Sequence, residues 1–350
     1  MRITIRTIMA VGALALVAAC SDSNGPSQQT PFNSRQVTDG LATVEQVGAA
    51  PVLKSFQALG GQLGASAAVT GAPGTDRYLA AVRNIAGILR PETQAALVPI
   101  IRSSMLGKTL VYDPATKAYV ASARTGAPAN GVRFVLYQND DANRPIVTQE
   151  IGAADLIDQK APSLTSAGLR LVVTSNGKTY LDYAFDLSGT VAAAVVTVDG
   201  YMSDGTDRVD FKITTTGQLF GRGGTATIDA KLEVAAKQFK ITAKVKGPSG
   251  GAAGATEIDL TVSSGTDVVV VSSKGSNSFI DAKVTVNGKV FATVTGTPAS
   301  PIIRGDGGRE LTPDELAMLG ELVKFSEGVF ELLGGLLAPA GVLLLIGLGL

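Results

Sequence analysis

Residues Ala226–Val245 read ATIDAKLEVAAKQFKITAKV, and this stretch decides the fold class. Apolar residues alternate with Thr, Asp, Lys and Glu from Ala226 to Val234, and the alternation resumes from Phe239 to Val245. Successive side chains of a β-strand point to opposite faces, so each of these strands has one apolar face and one polar face. The four residues Ala235–Gln238 between them keep apolar residues opposite apolar ones. The pattern is typical of an antiparallel sheet with one buried face.

About a dozen such segments follow one another between Lys108 and Thr297, and turn residues come after each. No connection is long enough to hold a crossover helix, so the sequence predicts a meander without parallel pairing. Open sheets with so many strands usually curl or split. We therefore predict a mainly β (α+β) fold, in which the meander curls into a half-barrel and helices from both ends cover its apolar face. A two-sheet sandwich is the alternative.

Two Asn-Gly pairs test the strand register, namely Asn176-Gly177 and Asn287-Gly288. A plain two-residue turn at either pair would set apolar residues against polar ones, so we predict three-residue loops that end in glycine. The predicted pairs are Leu171–Leu181 and Leu169–Tyr183 in the first hairpin, and Val284–Val290, Ala282–Ala292 and Ile280–Val294 in the second.

The region 34–106 has helical rather than alternating spacing. One stripe is formed by Val37, Leu41, Val44 and Val47, and a second by Tyr78, Val82, Ile85 and Leu89 after Asp76 as N-cap. A third, weaker helical piece lies between Pro91 and Pro99. The stretch Gly60–Gly74 is rich in Gly and Ala and is predicted to be a loop. These helices are predicted to cover the sheet, with a partner-binding module as the alternative.

Residues 301–350 return to helical spacing after the β region 107–300. Thr312-Pro313-Asp314-Glu315 has the pattern of a capping box, with threonine as N-cap and glutamate three residues later. The tail Leu332–Leu350 carries no charge. As a helix it would be about 28 Å long, close to the hydrocarbon thickness of a bilayer. Two interpretations stay open: a membrane contact, or a helix or broken pair of helices buried against the sheet, which we favour because Pro339 and several glycines interrupt the tail.

The first twenty residues have the layout of a secretory signal, with Arg2 and Arg6 before an apolar run from Ile8 to Ala19. Val17-Ala18-Ala19-Cys20 resembles the lipobox of bacterial lipoproteins. The resemblance implies that residues 1–19 are cleaved and that Cys20, the single cysteine, is acylated, for example with palmitate. An uncleaved anchor is the alternative. Serine, rather than aspartate, follows the cysteine, at position 21, and by the same resemblance this implies that the protein is sorted to the outer membrane. The leaflet and the side of the membrane that the protein faces are not implied. Residues 20–33 would then form a lipidated, disordered tether.

The composition excludes several functional classes. The chain has no histidine, which removes the commonest general base and the commonest transition-metal ligand. Cleavage after Ala19 would leave 28 basic and 30 acidic residues, a balance that does not favour nucleic acid. With Cys20 assigned to acylation, no thiol remains for catalysis. We therefore predict a protein that is not an enzyme and that needs no cofactor or metal.

Several local motifs resemble binding or catalytic sites, but a structural role explains each of them better. Gly221–Gly224 lacks the helix that follows a phosphate-binding loop. The acidic stretches Asn139–Asn143 and Asp204–Asp207 lack calcium-loop spacing and lie where hairpin turns are needed. The carboxylates Asp229 and Glu233 match surface alternation as well as a glycosidase pair. Five tyrosines are expected to pack between strands rather than bind sugars, namely Tyr112, Tyr119, Tyr137, Tyr180 and Tyr183.

The body of the chain looks like uncharacterised bacterial lipoproteins in segments such as YDPATKAYV (112–120) and TGAPANGVRFVLY (125–137). A curled antiparallel sheet with internal helices is also similar to the LolA/LolB lipoprotein carriers, whose apolar concavity shields acyl chains. The resemblance is one of architecture, since no motif residue matches. The expected function is a non-catalytic, lipid-anchored protein of the cell envelope with a structural or binding role. The alternatives are a carrier or receptor for a hydrophobic ligand held between sheet and C-terminal helices, and a transmembrane β-barrel.

Overall fold

The computed structural model describes residues 34–62, 74–89, 100–163, 166–190, 193–219, 224–248, 254–276 and 278–347. Within them the chain is mainly β, with three α-helices before the strands and one after them. The helices are α1 Ser34–Gly48, α2 Pro51–Gln62, α3 Gly74–Ile88 and α4 Pro313–Gly347. The strands are β1 Thr109–Asp113, β2 Ala118–Ala121, β3 Gly131–Asn139, β4 Pro145–Ser163, β5 Ser166–Ser175, β6 Lys178–Thr190, β7 Ala193–Ser203, β8 Arg208–Gly217, β9 Thr225–Val234, β10 Phe239–Pro248, β11 Thr256–Ser264, β12 Asp267–Gly275, β13 Ile280–Val286, β14 Lys289–Thr297 and β15 Ser300–Gly305.

All fifteen strands belong to one hydrogen-bonded sheet, which does not close on itself and has β2 and β15 as its edges. From β3 to β15 each strand pairs with the next one along the chain in antiparallel orientation, which confirms the meander over that range. The two-sheet alternative is not what the described strands form.

The prediction that parallel pairing is absent was wrong at one place. Strand β1 pairs with β2 in antiparallel orientation and with β3 in parallel orientation, with Leu110 opposite Phe134. The reason is geometric: β1 and β2 form a hairpin, and β3 is added beside β1 rather than beside β2. A third strand in that position runs in the same direction as the first, and the second strand of the hairpin serves as the connection.

The alternation that predicted the sheet is present in the pairing of β9 with β10. Val234 lies opposite Phe239, Leu232 opposite Ile241 and Ala230 opposite Ala243, as the four-residue connection predicted. Gln238 closes this connection in the left-handed conformation with φ of 50°. The apolar residues of both strands are buried, whereas Lys231 and Lys240 between them are exposed.

Both Asn-Gly hairpins differ from the predicted register. Ser175 pairs with Lys178 and Val286 with Lys289, so each loop has two residues, and all four loop residues have positive φ. Asn-Gly is the preferred pair for this type I′ turn, which matches the twist of the flanking strands. The predicted three-residue loops, and the pairs derived from them, were therefore wrong.

Apolar residues nevertheless face each other in these hairpins, because a β-bulge shifts the register shortly after each turn. Beyond the bulge, Leu171 lies opposite Tyr183 and Leu169 opposite Phe185 in the first hairpin. In the second, Val284 lies opposite Ala292. The residues that the pairing skips are aromatic in both hairpins, Tyr180 and Phe291. The extra residue in each bulge shifts the strand by one position, so that apolar side chains share one face of the sheet; a plain two-residue turn alone would have set them opposite polar ones.

The helices before the sheet differ from the prediction in two respects. Helix α3 begins at Gly74, two residues before the predicted N-cap Asp76. Helix α2 was not predicted. It takes in Gly60–Gln62 of the predicted loop, whose last residue, Gly74, begins α3; residues 63–73 and the piece from Pro91 to Pro99 lie outside the described residues.

Direct contacts join these helices to the strands. Gly40 of α1 lies against the ring of Phe239, at a distance that leaves no room for a Cβ atom. Ser55 of α2 donates a hydrogen bond of 2.6 Å to the carbonyl of Tyr137 in β3.

The start of α4 is fixed as the sequence predicted. The Thr312 hydroxyl accepts a hydrogen bond of 3.3 Å from the amide of Glu315, and the Glu315 carboxylate accepts one of 2.8 Å from the amide of Thr312. The Arg309 guanidinium adds two further hydrogen bonds to that carboxylate. Together with the helix start, these bonds hold the pKa of Glu315 at about 2.

Candidate functional site

The candidate site is the apolar half of α4 and its surroundings. Leu333, Leu336, Leu343 and Leu344 are almost completely buried, and α4 packs mainly against α3 and α2. Over its described residues, Leu332–Gly347, the tail is thus part of one continuous helix rather than a broken pair, and it is mostly buried. Gly328–Ile346 is long and apolar enough to cross a membrane, and most of it is enclosed by the rest of the chain.

Two buried tyrosines connect the sheet to the helices around this segment. The hydroxyls of Tyr78 in α3 and Thr215 in β8 share a hydrogen bond of 3.0 Å. Tyr183 in β6 donates a hydrogen bond of 3.2 Å to the carbonyl of Leu336 in α4. Burial raises the pKa of both tyrosines far above the ordinary value, so both hydroxyls stay protonated and act as structural links.

The bond from Tyr183 reaches α4 about one turn before its internal proline, Pro339. Pro339 has no amide hydrogen and its ring crowds the preceding turn, which disturbs the hydrogen bonds of a helix. Leu336 lies three residues before Pro339, and its carbonyl accepts the hydrogen bond from the sheet.

Two buried polar atoms on the helices that pack against α4 have no hydrogen-bond partner. They are Nε2 of Gln57 in α2 and Oδ1 of Asn84 in α3, the two helices on which α4 packs. A Cβ atom on Gly341 would lie 2.8 Å from Asn84 Oδ1, so the backbone of α4 passes directly over this amide. Buried polar groups are normally paired, and leaving one unpaired destabilises the buried state.

The opposite face of the sheet is polar and its charges compensate each other. Lys212 pairs with Asp199 at 2.9 Å, and Lys274 with Glu257 at 2.9 Å, each across two neighbouring strands. A shallow groove of about 400 Å³ lies on β8–β11. Its lining is Lys212, Thr214, Asp229, Ala230, Lys231, Thr242, Ala243, Lys244, Asp259 and Thr261. Asp229 faces Lys244 at 3.8 Å and Glu233 pairs with Lys231, so the two carboxylates weighed as a glycosidase pair are each matched with a lysine.

The acidic turns use their carboxylates mainly within the turns. Asp140 accepts hydrogen bonds from the amides of Ala142 and Arg144 and from the Arg144 guanidinium. Asp204 accepts hydrogen bonds from the amides of Thr206 and Asp207, and a further one of 3.1 Å from the Gln46 side chain of α1. Both are hairpin turns. No group of three or more acidic, His or Cys side chains suited to a metal ion occurs among the described residues.

The tyrosines weighed for sugar binding lie in or against strands. Tyr119 contacts Tyr112 and Phe134 edge-on, with ring centroids 5.7 and 5.6 Å apart, and donates a hydrogen bond to the carbonyl of Val135. Tyr137 is buried and Tyr180 is partly buried against the core. The rings of Tyr112 and Tyr119 thus stack on neighbours within the protein.

One half-buried carboxylate stands apart from the charge pairs. Oδ2 of Asp158 in β4 accepts a hydrogen bond of 3.3 Å from the amide of Ile101, while its Oδ1 is buried without a partner. Burial raises the pKa of Asp158 to about 6. The contact holds the fully buried residues Ile100 and Ile101 against the end of the sheet.

Cys20, the tether up to Asn33 and Gly221–Gly223 lie outside the described residues. The features that sequence reasoning missed are helix α2 and the unpaired polar atoms of Gln57 in α2 and Asn84 in α3. A signal for α2 was present, because Pro51 stands at the helix start and Val52, Leu53, Phe56 and Leu59 follow with helical spacing.

Compared with known family models, curated proteins and solved structures, the chain matches none of them.

Proposed function

We propose that this is a non-catalytic protein of the cell envelope, anchored in the outer membrane through acylated Cys20, with a structural or binding role. In this proposal residues 1–19 are removed, and residues 20–33 tether the body. The body is a half-barrel: the open sheet curls around the helices, which cover its apolar face.

The observation that carries the proposal is the contrast between the two faces of the sheet. The inward residues of β8–β10 are buried, whereas the outward ones are mostly charged residues and threonines, with Lys212 matched to Asp199 and Lys244 to Asp229 on neighbouring strands. Matched exposed pairs are solvated surface and contribute little energy. A body with this surface suits a role as a spacer or docking platform better than a role in chemistry.

The test of anchoring is labelling with radioactive palmitate in a Gram-negative host. The natural chain should incorporate label and sediment with outer membranes, whereas the Cys20→Ser variant should do neither. A Ser21→Asp variant is the matched control: it keeps the acylation site, so it should be labelled but move toward the inner membrane. Equal labelling of the natural chain and the Cys20→Ser variant refutes the proposal.

A second function is favoured by the position of α4. The proposed carrier would hold its hydrophobic ligand between the sheet and α4, where Tyr183 of β6 contacts this C-terminal helix. If the protein is a carrier, lipid should co-purify with the natural chain and be detected by mass spectrometry after organic extraction. If the protein purified from membranes carries no bound hydrophobic molecule, the carrier function is excluded.

A further inference from the structure

We propose that the segment Gly328–Ile346 of α4 is a reversible membrane contact: it leaves the protein interior and inserts into a lipid bilayer. The proposal goes beyond the proposed function, on which it depends only for bringing the body close to a membrane.

The first argument is that this segment is equally suited to two apolar surroundings. It has the length and the apolar character of a membrane span, and Glu331, its single charged residue, is exposed near its start. Most of its other side chains are buried in the protein interior, and a bilayer would cover them as well. Transfer from one to the other therefore keeps α4 itself out of water.

The second argument is that the closed position is imperfect on the side of α2 and α3. Asn84 Oδ1 is buried without a partner while α4 lies over it, and Gln57 Nε2 of α2, the other helix on which α4 packs, is also unpaired. When α4 leaves, Asn84 Oδ1 gains hydrogen bonds from water or lipid headgroups. The apolar faces of α2 and α3 that α4 uncovers would be covered by the same bilayer.

The third argument concerns how α4 is held. Its apolar half packs on other helices and is tied to the sheet by the hydrogen bond from Tyr183 to Leu336, beside Pro339. Proline within a helix is tolerated in membranes, where neighbouring groups satisfy the freed carbonyls. The charged first half of α4, with its capping box and the Arg309–Glu315 pair, stays suited to water.

The test locks α4 in place with a reversible disulfide. A Cβ atom on Gly341 would lie 3.4 Å from Cγ of Asn84, the atom that a cysteine sulfur would replace, which fits disulfide geometry. The Asn84→Cys and Gly341→Cys substitutions are made together in the mature chain 20–350 carrying Cys20→Ser, so that neither a lipid anchor nor the apolar run of residues 8–19 contributes. The protein is then mixed with vesicles of phosphatidylethanolamine and phosphatidylglycerol and centrifuged in a density gradient.

The expected result is that reduced protein floats with the vesicles and oxidised protein floats at least tenfold less. The control is the single Asn84→Cys variant, which should float equally in both states. Equal flotation of oxidised and reduced double variant overturns the proposal, and so does failure of the Cys20→Ser chain to bind vesicles at all.

A second measurement needs no disulfide, because the chain contains no tryptophan. A Phe330→Trp substitution places one in α4, next to Tyr78, whereas Phe211→Trp places one in β8 beside Tyr183. Vesicles with brominated acyl chains should quench the first variant several-fold more than the second. Equal quenching, or none in either variant, contradicts insertion of α4. Both tests use the chain without Cys20, so their outcome is independent of the palmitate experiment.

Discussion

Replacing Gly200 by alanine tests how closely the sheet is packed beneath α4. Gly200 in β7 lies between Tyr183 in β6 and Phe211 in β8, whose rings approach each other to 6.2 Å between centroids. A Cβ atom on Gly200 would lie 2.1 Å from the carbonyl oxygen of Asp182 and 2.5 Å from Cα of Tyr183. Both obstacles are backbone atoms, so no side-chain rotation can make room.

The expected loss of stability can be estimated from the backbone shift that the new Cβ atom would force. Overpacking of a tight interior typically costs about 1–3 kcal/mol. Strand β6 must shift, and Tyr183 shifts with it, so the hydrogen bond to Leu336 is weakened at a further cost of about 1 kcal/mol. We expect Gly200→Ala to lower the free energy of unfolding by roughly 2–4 kcal/mol.

The assay is urea denaturation of the Cys20→Ser chain, followed by circular dichroism. The matched control is Gly87→Ala in α3, where a Cβ atom meets nothing within 4 Å. That change should stabilise the protein by about 0.5–1 kcal/mol, because alanine favours helix. If Gly200→Ala unfolds at the same urea concentration as the unchanged chain, the packing described between β6 and β7 is wrong.

Three further predictions concern single residues. Asp158→Asn should raise the free energy of unfolding at pH 7 by about 1 kcal/mol, because the raised pKa of Asp158 means that its ionised carboxylate destabilises the fold. The gain should fade as the pH drops from 6 to 4, because the natural carboxylate then becomes protonated and no longer destabilises the fold. Glu315→Gln should lower stability at pH 7 by about 1 kcal/mol, with the difference lost between pH 4.5 and 2, where the natural carboxylate itself becomes protonated. Denaturation midpoints across pH check both. Gly177→Ala, at φ of 74°, should cost about 1 kcal/mol in the same assay; no change would refute the type I′ turn.

The strands could be predicted from the sequence because their signal is local. The alternation in β9 and β10 is uninterrupted, and four residues between Val234 and Phe239 admit one register that keeps the faces apart. The capping box at Thr312 is equally local, since its two hydrogen bonds involve residues three positions apart.

The features of the fold that could not be predicted are those where two sequence signals conflict or where the choice depends on distant parts of the chain. At Asn176-Gly177 the turn preference and the facial alternation conflict, and the chain satisfies both with a bulge at Tyr180. The position of β3 beside β1 rather than β2 is a choice of partner that no local pattern encodes. The same holds for the interior around α4, because the unpaired atoms of Gln57 and Asn84 become apparent only once the helices are packed.

The central claim is that every second residue of the sheet faces water while its neighbours are covered. It is tested most directly by placing single cysteines along β9 of the Cys20→Ser chain, at Lys231, Leu232, Glu233 and Val234, and measuring their rates of reaction with a water-soluble maleimide. The first and third positions should react at once, and the second and fourth roughly a hundredfold more slowly, because they must wait for the structure to open. Four similar rates would contradict the two-faced sheet on which the account rests.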